Sequence, residues 1–133
     1  MSCKSALYTA LQTPTAVAVD GVIPLGSLIR RYGCDISLNG NAVSLSNAGY
    51  YDVDVSVTVA PTAAGNVTAT LVKDGVAIPG ATASAAAAAG APTVLSFPAL
   101  VRQACCASGS SLTLVLSGAA ATVNNVALRV QRI

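Results

Sequence analysis

The sequence predicts an all-β fold, an antiparallel sandwich or barrel of about eight to ten strands joined by short turns with no helical crossover. Three observations carry this. Apolar residues recur at every second position rather than at helical spacing. Valine and threonine, whose branched side chains suit a pleated surface, dominate those runs. Gly, Pro, Asn and Asp punctuate the chain at intervals of roughly ten residues.

Residues 1–14 are read as an N-terminal arm and residues 15–133 as one domain. Short strands are expected at 15–19, 27–32, 35–38 and 42–45. The clearest strand is 51–60, where Val53, Val55, Val57 and Val59 point one way and Asp52, Asp54, Ser56 and Thr58 the other. One face is therefore core and the other polar. Asn47-Ala48-Gly49 leads into it, and Pro61 and Gly65 close it. Residues 66–80 read as a hairpin: Val67, Ala69 and Leu71 alternate with threonines, Asp74-Gly75 makes the turn, and Pro79-Gly80 stops the returning strand. The alanine run at 85–89 is too short to hold a helix alone and reads as a small-residue strand or loop. Strands at 93–102, 111–117 and 122–133 complete the set, the last alternating Val126, Leu128 and Val130 with Ala127, Arg129 and Gln131.

Composition limits the chemistry. The chain has 133 residues, 53% of them hydrophobic and only 9% charged, with a net charge of +2 and no histidine. So thin a positive charge does not make the dense basic stripe that a phosphate backbone needs, so no nucleic acid partner is expected. Without histidine the chain lacks the usual near-neutral proton shuttle and the commonest metal ligand. No enzymatic activity and no cofactor are expected. A mean hydropathy of +0.66 raises the question of a membrane. Every apolar stretch is broken by Ser, Thr, Gly, Pro or Asp well short of the roughly 20 residues a spanning helix needs. The first ten residues also lack the apolar centre of a secretory signal, which points to production in a cytoplasm. A monomer this poor in charge would leave large apolar patches in water, so self-association is expected.

The order of these signals resembles the C1q/TNF-like jelly-roll family, particularly its small bacterial and bacteriophage versions. The segment from Asn41 through Gly49-Tyr50 into Val53 is similar to the family's passage from a short strand through a Gly-Tyr turn into a long central strand. The segment from Leu71 through Asp74-Gly75 to Pro79-Gly80 is similar to its hairpin. Residues 112–116 and 125–133 are similar to its last two strands. The likeness runs over residues 15–133, without a collagen-like stalk and with few aromatic residues. It implies a jelly-roll sandwich that assembles as a homotrimer. Trimer or core candidates are Tyr50, Val53, Val55, Val57, Val59, Val126, Leu128 and Val130.

Three groups of residues are candidates for chemistry. Asp52 and Asp54 share one strand face at about 7 Å; a calcium or paired-acid site is the sharper reading, and a solvated face the plainer one. Cys34 can pair with Cys105 or Cys106 if the strands ending at Gly33 and Gln103 meet in an oxidising setting. Otherwise the thiols act as small buried hydrophobes. Arg30, Arg31, Arg102, Arg129 and Arg132 are rim charges or seam residues, with Asp35 a nearby partner for Arg30 or Arg31.

The function these readings favour is a non-enzymatic structural protein: a trimer on a virion surface, as capsid decoration or head fibre of a bacteriophage or prophage, made in the bacterial cytoplasm. Its expected partners are its own copies and a capsid or other virion protein. The alternative is a receptor- or glycan-binding tip of a phage fibre or spore-surface filament, displayed on a bacterial cell or spore and contacting a host-surface glycan. The short N-terminal lead without heptads, and the mere handful of aromatic residues for stacking on sugars, favour the first.

Overall fold

The computed structural model describes residues 5–33, 35–103 and 109–133. These residues form eleven strands and no helix. In chain order they are β1 (Ala6–Leu11), β2 (Thr15–Val17), β3 (Ser27–Tyr32), β4 (Ile36–Asn39), β5 (Ala42–Leu45), β6 (Gly49–Pro61), β7 (Gly65–Lys73), β8 (Val76–Ala87), β9 (Thr93–Gln103), β10 (Ser110–Ser117) and β11 (Ala121–Arg132). One sheet runs β3-β1-β11-β6-β9, with β2 added alongside β11; the other runs β4-β5-β10-β7-β8. All pairings are antiparallel.

The core lies between the sheets and follows from the alternation. On β6, Tyr51, Val53, Val55, Val57 and Val59 are buried; on the facing sheet Val67, Leu71, Leu112, Leu114 and Leu116 meet them. Each such side chain contributes about 1.5–3 kcal/mol by leaving water. Two layers of valine and leucine are what a pleated strand with period two must bury when a second sheet covers it.

The hairpin turn is local chemistry. Asp74 and Gly75 both have positive φ, 51° and 85°, the pair of left-handed residues that a two-residue type I′ turn demands. Asp74 is further anchored to β10, its amide donating to the Ser111 carbonyl and its carboxylate accepting from the Ser111 amide, each at 2.9 Å.

Three expectations are corrected. Residues 6–11, placed on sequence in an arm, form β1, inserted between β11 and β3 with Leu7 buried. The returning hairpin strand does not stop at Pro79-Gly80. The register passes from Val72↔Ala77 to Thr70↔Thr82, so residues 78–81 bulge opposite Leu71, and the strand resumes through the alanines to Ala87. β8 is an edge strand, where a proline has no outer ladder bond to lose. Of the two roles given for Tyr50, trimer or core, the core one is excluded: it is 49% exposed on the outer face of β6, and Tyr51 occupies the buried position one step on. The period of two forbids both from facing inward.

The sandwich has two distinct ends. At one, the Thr62 amide donates to the Ala120 carbonyl (3.1 Å) and the Gly90 amide to the Pro61 carbonyl (2.7 Å), tying three Ala-, Gly- and Pro-rich loops together. At the other, the Arg132 amide donates to the Ser5 carbonyl (2.9 Å) and the Ser46 amide to the Asp35 carbonyl (2.9 Å). Cys3, Cys34, Cys105 and Cys106 lie outside the described residues, and so does the pairing considered for Cys34 with Cys105 or Cys106.

Candidate functional site

Among the described residues, the charged side chains that pair with one another do so in two places. The first is buried at the end where β1 begins and β11 ends. Asp35 is fully buried and accepts from the Arg132 guanidinium (2.7 Å), the Ser5 hydroxyl (3.1 Å) and the Asn47 side-chain amide. Arg132 also donates to the Ala48 carbonyl at 2.7 Å, and the Tyr51 hydroxyl to the Asn47 carbonyl at 2.6 Å. Burial pushes the Asp35 carboxyl up; the bonds from Asn47, Arg132 and Ser5 and the charge of Arg132 outweigh it and hold the carboxyl below its ordinary value. The partner is therefore Arg132, 97 residues away in sequence, and not the neighbouring arginines. Arg31 instead donates through Nε to the Ile36 carbonyl at 2.7 Å. A carboxylate so occupied is a clasp between chain segments rather than a reactive group.

The second place is the outer face of the six-stranded sheet. Register sets its rows. Arg30, Tyr8, Arg129, Asp54 and Pro98 lie side by side across β3, β1, β11, β6 and β9. One step along, Tyr32, Ala6, Gln131, Asp52 and Leu100 form the next row. On the other side, Ala10, Ala127, Ser56 and Ser96 make a row of small residues. The drop from large to small leaves a groove of about 460 Å³, walled by Tyr8, Arg129, Asp54 and Pro98. Arg129 bridges both carboxylates, at 3.5 Å from Asp52 and in direct contact with Asp54. Tyr8, Tyr50, Val94 and Leu100 are exposed on this face. The outer face of the other sheet differs in chemistry: Thr68 meets Ser84 and Thr70 meets Thr82 through their hydroxyls.

Among the described residues no group of three or more His, Cys, Asp or Glu stands close enough to hold a metal ion. The Asp52 and Asp54 pair is bridged by a guanidinium, which occupies the position a cation would take. No described helix is long and apolar enough to cross a membrane.

No protein-family model matches the sequence, and no curated protein matches it either. Solved structures do. Murine APRIL at pH 5.0 superimposes with a TM-score of 0.75 over 98% of this chain and 99% of its own, at 12% identity. The globular domain of zebrafish complement 1qA gives 0.70 over 96% and 95%, at 8% identity. The vertex protein P5 of PRD1 gives 0.66 over 100% and 99%, at 15% identity. The fold is the TNF/C1q-like jelly roll.

Within this jelly roll the sequence-predicted residues separate cleanly. Val53, Val55, Val57, Val59, Val126, Leu128 and Val130 face the interior between the sheets, while Tyr50 stands on the outer face. Asp52 and Asp54 do share a face, and β11 brings Arg129 to them. Sequence reasoning missed that triad and the Asp35 clasp because both depend on strand order. The alternation of Arg129 with Leu128 and Val130 already marked it as outward, but not which strand it would face.

Proposed function

We propose that the chain is a non-enzymatic structural subunit of a bacteriophage or prophage virion, acting as a homotrimer on the particle surface as capsid decoration or head fibre. The observation that carries this reading is the likeness to the PRD1 vertex protein P5, which spans all of this chain and 99% of the other. The likeness to TNF- and C1q-type jelly rolls at similar coverage supports self-association. The physical argument points the same way. Only 9% of residues are charged, and Tyr8, Tyr50, Val94 and Leu100 are left in water on one sheet face, an arrangement that a subunit contact relieves. Two observations support the non-enzymatic reading: the sequence holds no histidine, and Arg129 bridges the acid pair Asp52 and Asp54.

The test is reconstitution. Purified protein added to phage particles stripped of it is expected to restore density at fixed surface positions by electron microscopy. Binding to intact host cells or to their surface glycans, with no rebinding to particles, overturns the decoration reading in favour of a receptor-binding tip. Mass photometry at nanomolar concentration is expected to give three subunits; a single-subunit mass refutes the trimer.

A further inference from the structure

The outer face of the five-stranded sheet lies on the opposite side of the sandwich from Tyr8, Tyr50, Val94 and Leu100. Its hydroxyls fall into two sets. Along β7 and β8 they satisfy one another, Thr68 with Ser84 and Thr70 with Thr82. Where β5 and β10 meet the Asp74-Gly75 turn they do not. Register sets Ser44 beside Ser111, and Asp74 is held there because one of its carboxylate oxygens accepts from the Ser111 amide at 2.9 Å. The hydroxyls of Ser44 and Ser111 and the second carboxylate oxygen of Asp74 have no hydrogen bond within the chain among the described residues. With Ser46 and Ser110 they line a cleft of about 320 Å³, at the small end of the range for small-molecule sites.

The cleft is supported from behind. Ser110 donates its hydroxyl proton to the side-chain carbonyl of Gln103, and Ser46 donates to the Asp35 carbonyl at 3.0 Å. With their protons committed within the chain, these two oxygens meet a ligand only as acceptors. Gln103 is 2% exposed, and its Nε2 is one of two buried side-chain polar atoms without a partner among the described residues. An unpaired buried donor is rare in a native fold and calls for an explanation beyond packing.

The balance of donors and acceptors selects the ligand. Among these side chains acceptors outnumber donors, and one acceptor is a carboxylate. No Lys, Arg or aromatic side chain lines the cleft among the described residues, so an anion has no cation to meet. One carboxylate is too little charge for a divalent ion. A neutral molecule with several adjacent hydroxyl donors matches what is left. We propose that this cleft binds a neutral saccharide, with Asp74 the charged acceptor for its hydroxyls and Ser44 and Ser111 exchanging donor and acceptor roles with them. No ring is present for the sugar to stack on, so a single site binds weakly, in the millimolar range. Repeated copies on a particle, in the reading above, raise that affinity by avidity.

The experiment is a titration of the purified full chain followed by amide chemical shifts in NMR. Glucose, galactose and N-acetylglucosamine are the neutral probes, and glucuronate and inorganic phosphate the anionic ones. Saturable shifts at residues 44–46, 74 and 109–111 are expected with at least one neutral sugar and with neither anion. Asp74→Asn keeps a residue pair that the type I′ turn accepts and is expected to weaken binding at least about tenfold. Ser44→Ala is expected to weaken it about fivefold, and circular dichroism checks that both variants keep the β fold. Dextran, galactan and chitotetraose, chains of the same three sugars, separate the sources. Shifts with the free sugar alone assign a free ligand, shifts with the chain as well assign a linked one, and either upholds the site. No saturable shift with any neutral sugar up to about 100 mM overturns the proposal. So does glucuronate binding as tight as that of glucose, or sugar binding that both variants leave unchanged. None of these outcomes touches the particle role, which reconstitution reads separately.

Discussion

Asp35→Ala tests the buried clasp directly. The substitution removes the acceptor of three side chains, Ser5, Asn47 and Arg132, at a site closed to water. Arg132, only 18% exposed at its side chain, is left with a charge that has lost its counterion. Breaking one partner of a buried pair costs about 3–5 kcal/mol. Unfolding entropy of roughly 2.1 cal/mol/K per residue gives a 133-residue chain about 0.28 kcal/mol/K. The expected drop in Tm is therefore about 11–18 °C, measured by calorimetry at pH 7 and at one fixed protein concentration, since association shifts Tm by mass action. The acid dependence has a definite sign. The folded-state carboxyl titrates below its ordinary value of 3.8, so its ionic contribution is complete at neutral pH. That contribution declines as pH falls through 3.8 and is lost below the folded-state value. The gap between wild type and Asp35→Ala is accordingly widest at neutral pH and narrows in acid. A variant that melts within a degree or two of wild type at pH 7, or a gap that widens on acidification, refutes the account of the clasp.

Further outcomes are expected from the packing. Val57→Asp places an unpaired carboxylate at a fully buried position on β6 and is expected to cost several kcal/mol; expression in soluble form with an unchanged melting curve contradicts the facing of that strand. Leu114→Ala, at the centre of β10, is expected to lower stability by about 2–5 kcal/mol in chemical denaturation, through lost burial and the void left behind. Gly26→Ala meets a different obstacle: Gly26 has φ of 77° and a methyl group there would lie 2.2 Å from the Ala10 carbonyl oxygen. A clear loss of Tm is expected, whereas Gly40→Ala, where a methyl group meets nothing within 4 Å, is expected to lose less.

What the sequence made legible is tied to a single physical signal. Wherever one face of a strand is apolar and the other polar, as on β6 and β11, the period of two declares both the strand and its facing. β1 escaped because its pattern is inverted: Thr9 is buried while Tyr8 is 41% exposed, so apolar and polar residues do not alternate as a half-wet strand should. The full length of β8 is hidden because Pro79-Gly80 carries the local signature of a stop, and only the presence of β7 beside it shows that the strand resumes. The segment before β3 was unreadable for a related reason. Its amides and carbonyls at Asp20, Gly21 and Ile23 bond to Leu114 and Leu116 of β10, more than 90 residues away, and no local propensity encodes that. Both polar clusters have the same limitation. Asp35 finds Arg132, and Asp52 and Asp54 find Arg129, only because the last strand returns to the middle of the first sheet.

That return has a consequence in time as well as in space. β11 lies between β1 and β6 and also carries β2, so it is synthesised after every strand it joins. Until it emerges from the ribosome, β1 and β3 have only each other, and the valine face of β6 has β9 on one side and an open edge on the other. The growing chain must therefore keep the valine face of β6 from foreign edges until β11 is made. Closure of this sheet is a late event that depends on contacts of long sequence separation, the kind that folds slowly. An exposed edge on β6 at that stage is where a chaperone, or another nascent copy, would bind first.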